Sequence, residues 1–332
     1  MNICIYGLGA VGGLMAAKLA LAKIPNAKVN AVVRGDTLEA VRQHGLTLID
    51  TYEGGERSRR ASLDALGRPE QLGPQDVVIL AVKATAMPAV ARDIAPLLGP
   101  DTAVVSAMNG ISWWFFHGLA PELALQHIRA ADPDGATAAA IPAERVVGCV
   151  THLSATSPAP GTVRHIAGNR LILGEPDPHR QGSRAGRIAG LLREAGFEVE
   201  ESERIQQEIW FKLWGNMTVN PISAITGATG DRILDDELVR QFMSRCMLEA
   251  AAVGESIGLQ VGADPESRHA VTRRLGAFRT SMLQDVEACK PVELDALVGT
   301  VLEIATHAGA PAPNLEALYG LARLHARVRG LY

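Results

Sequence analysis

Cysteine is scarce and scattered in this chain: Cys4, Cys149, Cys246 and Cys289 are the only four in 332 residues, and none forms a CxxC pair. Zinc sites and disulfide frameworks need clustered or regularly spaced thiols, so neither is expected, and no metal is assigned. The four read as buried thiols of a reducing cytoplasm. A dominant charge of one sign is also missing, since 32 basic and 36 acidic residues leave a formal net charge of −4. Nucleic acid or an anionic lipid surface would call for a basic stripe, and the scattered Lys and Arg provide none. No internal repeat and no low-complexity tract is present. The apolar run 3–22 has no basic segment before it, is interrupted by four glycines, and is broken by Lys18 and Lys23. It reads as strand, turn and helix rather than as a signal peptide or membrane anchor.

What is present is an ordinary globular composition, 47% hydrophobic and 20% charged, in a chain long enough for two domains. The first part alternates short β-rich runs with helical stretches, the pattern of a parallel sheet wrapped by helices. Strands are expected at Asn2–Tyr6, Lys28–Val33, Val77–Val82 and Ala103–Met108, with helices at Val11–Ala22, Leu38–His44 and Ala86–Leu98. Strands at Arg145–His152, Thr162–Ile166 and Leu171–Gly174 then read as an antiparallel extension of that sheet, followed by one more helix and a strand at Phe197–Val199. From Ile205 onward only helical spacing appears: Ile205–Thr226, Leu234–Ile257, Arg268–Met282, Val292–His307 and Leu315–Arg327. The expected fold is α/β, with an N-terminal Rossmann-type dinucleotide-binding domain over residues 1–202 and a C-terminal all-helical domain over residues 203–332, the site lying between them.

Gly7-Leu8-Gly9-Ala10-Val11-Gly12 follows the strand Ile3–Tyr6 and opens a helix. In that context a GxGxxG match carries weight, because each glycine serves a mechanical need. The first allows a tight turn, the second close approach of backbone to a pyrophosphate, and the third close packing of helix on strand. The helix N-terminus then meets the phosphate charge. At the end of the second strand, where an NAD enzyme places an acid for the ribose 2′-hydroxyl, stands Arg34. A guanidinium suits a 2′-phosphate and favours NADP(H), while Asp36 nearby keeps NAD(H) open.

Lys212, Asn216 and Asn220 recur every four residues on one helix face. An ammonium and two carboxamides in a row are costly in a core and unusual on a surface, so they point to a polar cleft. With these pieces together, the sequence resembles the ketopantoate reductase (2-dehydropantoate 2-reductase) family over nearly its whole length. The resemblance rests on Gly7–Gly13, Arg34-Gly35, Val82-Lys83, Met108-Asn109-Gly110, the Lys212/Asn216/Asn220 helix, Ser281-Met282-Leu283-Gln284-Asp285 and Glu293-Leu294-Asp295.

The resemblance implies NADPH-dependent reduction of 2-dehydropantoate to pantoate, a step toward pantothenate and coenzyme A; a homodimer is expected, and the charge and cysteine pattern already point to the cytoplasm and away from nucleic-acid or membrane partners. Lys212 matches the general acid that protonates the forming alkoxide. Asn216, Asn220 and Ser281 match the groups that hold the ketoacid carboxylate and hydroxyl. Glu293 matches an acid at the nicotinamide end of the cofactor and is grouped with Lys212 as catalytic. Asn109 and Lys83 match residues at the junction of cofactor and substrate, and Leu153 falls at a backbone contact to the cofactor.

Three features depart from the family pattern. Gly227-Ala228-Thr229-Gly230 offers no carboxamide where another substrate-binding asparagine is common, Val298-Gly299 replaces an Asn-Gly, and Trp113-Trp114-Phe115-Phe116 is an unusual aromatic cluster read as core or interface packing before substrate contact. They motivate an alternative, a paralogue acting on another 2-ketoacid or a dicarbonyl. A non-catalytic NADPH sensor is a third reading, opposed by the joint presence of Lys212, Asn216, Asn220, Ser281 and Glu293.

Overall fold

The computed structural model describes residues 1–52, 55–119, 127–180 and 184–332. The chain divides into two compact units, one comprising Met1–Met108 and Ala136–Ile205, the other Asn109–Gly135 and Gln206–Tyr332. The segment after residue 108 thus packs with the helices that follow residue 205, a long-range association that no local periodicity signals.

The first unit is built on β1 (Asn2–Tyr6), β2 (Lys28–Val32), β3 (Leu46–Tyr52), β4 (Gly55–Ala61), β5 (Asp64–Leu66), β6 (Gln75–Leu80), β7 (Leu98–Ser106), β8 (Val146–Ala159), β9 (Thr162–Gly174) and β10 (Glu198–Glu201). They form one sheet in the order β4-β3-β9-β8-β7-β6-β1-β2-β5, with β10 added beside β9. The central strands are parallel, and the runs Ile3-Cys4-Ile5 and Val77-Val78-Ile79-Leu80 are fully buried, as strands covered on both faces must be. The helices α1 (Ala10–Ala22), α2 (Gly35–His44), α3 (Met87–Asp93), α4 (Ala136–Ala140) and α5 (Arg184–Glu194) belong to this unit.

Several expectations are corrected. β8 and β9 pair antiparallel as expected, but β9 is one strand through Ile166–Leu171, and β10 joins it parallel. β8 runs well past the expected His152, to Ala159, so that only Pro160-Gly161 turns the chain into β9. The helix expected over Ala86–Leu98 ends as α3 at Asp93, followed by a 3₁₀ turn at Ala95–Leu97 with Pro96 in it. The β3–β4 hairpin departs from the expected element order, since Gly-Glu-Arg-Ser-Arg-Arg in β4 is polar and exposed and lacks a strand's apolar alternation. Cys4, Cys149 and Cys246 are buried, but Cys289 is exposed, so the expectation of four buried thiols fails there.

The second unit contains α6 (Ile205–Thr226), α7 (Gly230–Asp235), α8 (Glu237–Ser256), α9 (Pro265–Arg273), α10 (Ser281–Glu287), α11 (Thr300–Ala308) and α12 (Pro313–Val328), and no strand among its described residues. The helix expected over Leu234–Ile257 is divided at Asp236, whose carboxylate accepts Val239 N–H and starts α8 afresh. The one expected over Arg268–Met282 is divided by Gly276, at φ +65°, and restarts at the Thr280 cap. Among the described residues, no helix is long and apolar enough to cross a membrane.

Candidate active site

In the first unit, Gly7 sits at φ +95°, and a Cβ on it would lie 2.7 Å from Val82 Cγ1. A Cβ on Gly12 would stand 2.0 Å from the Gly7 carbonyl oxygen, which only glycine tolerates. Gly9 differs: a Cβ there meets nothing within 4 Å, although the residue caps the start of α1. Two glycines are thus fixed by the chain's own packing, while the third leaves open space at a helix N-terminus that has no side-chain cap and no acid in its first turn. That arrangement fits a pyrophosphate, which supplies the missing negative charge and needs close backbone approach.

Leu8 is buried, while Ala10 and Val11 begin α1 and are partly buried. Arg34 is exposed at the end of β2, paired with Asp93, and Asp36 lies in the first turn of α2. Lys83 is partly buried directly after the Ala81-Val82 segment that packs on Gly7. Leu153 lies in β8 opposite a bulge of β9, where the register shifts between His152 and Ser154. Gly168, at φ +71°, permits that bulge, which takes the Leu153 backbone out of a regular ladder. A separate cleft of about 500 Å³, lined by Lys28, Asn30, Arg42 and Asp64, opens at the N-terminal ends of β1 and β2, away from the glycine turn.

In the second unit the central contact is Lys212 Nζ donating to Asn109 Oδ1 at 2.7 Å. These residues are 103 positions apart, and the loop bearing Asn109 is held by neighbouring backbone. Ile111 N–H donates to the carbonyl of Ala296 at 2.9 Å, and Gly110, at φ +80°, lies so close that a Cβ would be 2.3 Å from the same oxygen. Ala296 can accept this bond because Asp295–Gly299 is a π-helical turn, in which Thr300 N–H bonds to Asp295 instead. Tyr319 and Tyr332 hydroxyls both donate to Asp295 Oδ1, at 2.6 and 2.8 Å, and fix the start of that turn. Glu293 is buried just before it.

Asn216 and Asn220 lie on the Lys212 side of α6, Asn220 being only 6% exposed. Neither carboxamide makes a hydrogen bond with another of the described residues. Their amide atoms are not sealed from solvent, so both carboxamides are open to a ligand on the lysine side of the helix. Ser281 is exposed in the first turn of α10, whose cap Thr280 accepts Leu283 N–H at 3.1 Å.

The departures from the family pattern have local causes. A Cβ on Gly230 would lie 2.0 Å from the Phe278 ring, so that ring fills the position and Gly230 N–H bonds to the Phe278 carbonyl. Val298 is fully buried in the π turn. Trp113, Trp114, Phe115 and Phe116 are all buried, Phe115 stacking near Trp210 of α6 at 6.3 Å, so the cluster is core of the second unit.

The family profile described as "Ketopantoate reductase PanE/ApbA" matches residues 3–178, and its C-terminal counterpart matches residues 204–326. The chain belongs to the ketopantoate reductase family. It is 42% identical to a 2-dehydropantoate 2-reductase of Mesorhizobium japonicum, with 100% of both chains covered. A crystal structure from Ralstonia solanacearum MolK2, assigned to the ketopantoate reductases, superimposes with a TM-score of 0.93 at 51% identity, covering 100% of this chain and 99% of the other. A 2-dehydropantoate 2-reductase from Geobacter metallireducens GS-15 follows with a TM-score of 0.84 at 27% identity and 98% and 99% coverage.

Proposed function

We propose that the protein is an oxidoreductase that reduces 2-dehydropantoate to pantoate with NADPH. The observation that carries the reading is Lys212 held by Asn109 at 2.7 Å, beside the unspent carboxamides of Asn216 and Asn220, in a chain of this family. Bound NADPH supplies the hydride for the C2 ketone. The chain's own residues do the rest. Lys212 Nζ gives a proton to the ketone oxygen as charge develops on it, a general-acid contribution of roughly 10²–10⁴-fold. Asn109 keeps the ammonium aimed, and Asn216, Asn220 and Ser281 hold the carboxylate and hydroxyl of the substrate. Glu293, buried just ahead of the π turn that seats the Asn109 loop, serves the nicotinamide end. Gly7 to Gly12 receive the pyrophosphate, Arg34 the 2′-phosphate, and Lys83 and the Leu153 backbone complete the cofactor contacts.

A homodimer through the second unit is supported by Leu321, Leu324 and Val328, 62%, 61% and 80% exposed on one side of α12. Sedimentation of the protein with these three changed to polar residues tests that part. For the reaction, purified protein is offered ketopantoate, pyruvate and other 2-ketoacids with NADPH. Preferential turnover of ketopantoate supports the reading, and ketopantoate turned over no better than pyruvate points to the alternative of another ketoacid, for which the Phe278 ring on Gly230 is the motivating difference.

A further inference from the structure

Arg268, in α9, is a partly buried cation with no counter-ion among the described residues. Its guanidinium rests on the backbone of α6 at Gly215, where a Cβ would stand 2.5 Å from Nη2 and 2.8 Å from Cζ. Glycine at 215 therefore keeps this seat open. Nη1 donates to Thr272 Oγ1 at 3.1 Å, the ring of Phe211 is 5.9 Å away, and Nε is buried with no hydrogen-bond partner. The nearby carboxylates are engaged elsewhere: Glu266 pairs with Arg240, and Asp235 with Arg273. Burial pushes the Arg268 pKa down, and no acid opposes that shift.

Partly burying a charge without an acidic partner costs some of its hydration, and a single phenyl ring offsets little of that. The arrangement becomes favourable once an anion arrives. Gly215 is three residues from Lys212 and so neighbours it on the surface of α6, which puts the guanidinium on the Phe211–Gly215 side of that lysine.

We propose that Arg268 is an anion seat that adds its charge to the amide and hydroxyl groups of Asn216, Asn220 and Ser281 in holding the carboxylate of the ketoacid. The carboxamides of Asn216 and Asn220 orient the substrate, and the guanidinium supplies the full charge and the forked donor geometry that neutral amides lack. The proposal rests on the ketoacid reading for the identity of the anion.

The test is calorimetric titration of oxamate, a 2-ketoacid mimic, into NADP-loaded wild type, Arg268→Gln and Arg268→Lys, with Tm measured for each. The proposal expects oxamate to bind wild type, affinity to fall at least tenfold in Arg268→Gln and less in Arg268→Lys, and the Tm of Arg268→Gln to be no lower than wild type, because an unpaired charge has been removed. Unchanged oxamate affinity in Arg268→Gln, or no oxamate binding to wild type, overturns it. A lowered Tm with affinity retained assigns Arg268 to packing and overturns it too. In parallel, kcat/KM is compared for ketopantoate and its neutral lactone. The substitution should depress the first and spare the second. Wild type inactive on ketopantoate would sink the substrate reading, and the oxamate titration would still decide Arg268.

Discussion

Lys212 and Asn109, 103 residues apart, are joined by a hydrogen bond of 2.7 Å from ammonium to carboxamide oxygen. The loop that presents Asn109 is itself seated on the π turn through Ile111 N–H and Ala296. In the proposed role of proton donor, Lys212 loses rate when the support that aims it is removed, even though it remains charged. Asn109→Ala is expected to lower kcat by roughly 10²-fold, the cost of a small misplacement at a reacting centre. Steady-state kinetics with thermal denaturation check this, since Tm should barely move.

The glycine turn separates packing from ligand approach. Gly12→Ala forces a Cβ to within 2.0 Å of a backbone oxygen and should destabilise the fold by about 1–3 kcal/mol or more. Gly9→Ala, at φ −71° with nothing nearby, should leave stability within about 1 kcal/mol of wild type. NADPH affinity should nevertheless fall at least tenfold. Denaturant titration and fluorescence binding of NADPH distinguish the two outcomes, and equal loss of stability in both variants would contradict the assignment.

Arg34 is the residue that should discriminate between the two nicotinamide cofactors. Loss of a charge-assisted contact to a 2′-phosphate costs about 1.5–3 kcal/mol, or roughly 10–100-fold in affinity. Arg34→Ala is therefore expected to weaken NADPH by that factor and to leave NADH unchanged, measured as Kd for each. A parallel loss for both would remove Arg34 from this role.

His269 is buried in α9, its Nε2 3.0 Å from Ser244 Oγ. Burial pulls its pKa below 6.5, aided by Arg240, Arg268 and Arg273 and opposed by Glu266. The unfolded chain then takes up the proton first as pH falls, so stability is present above about pH 6.5 and declines below it. Denaturation of wild type and His269→Gln across this range should show a shallower decline in the variant.

Much of the fold is legible in the sequence because the central strands are continuous apolar runs and α6 keeps its helical spacing from Ile205 to Thr226. The β3–β4 hairpin is not, because its polar, exposed β4 carries no alternation, and the pairing of β3 with β9 depends on residues distant in sequence. Divided helices are hidden for a related reason: apolar spacing carries across Asp236 and Gly276, where capping and a positive φ decide. At the site, Lys212, Asn216 and Asn220 announce themselves by spacing. Residues 109–135 packing with the second unit, the π turn under Asn109, and Arg268 on Gly215 do not, since each is a contact made only by the folded chain. Glycine at 215 is the one available signal for Arg268, and only against a known helix–helix contact does it carry meaning.

The most direct test of Lys212 as proton donor is NADPH consumption with ketopantoate by wild type and Lys212→Ala, with NADPH binding measured on both. Turnover by wild type, a fall of roughly 10²–10⁴-fold in kcat for Lys212→Ala, and unchanged NADPH affinity are the predicted results. Full activity in Lys212→Ala would contradict the assignment of the proton donor at the centre of this site.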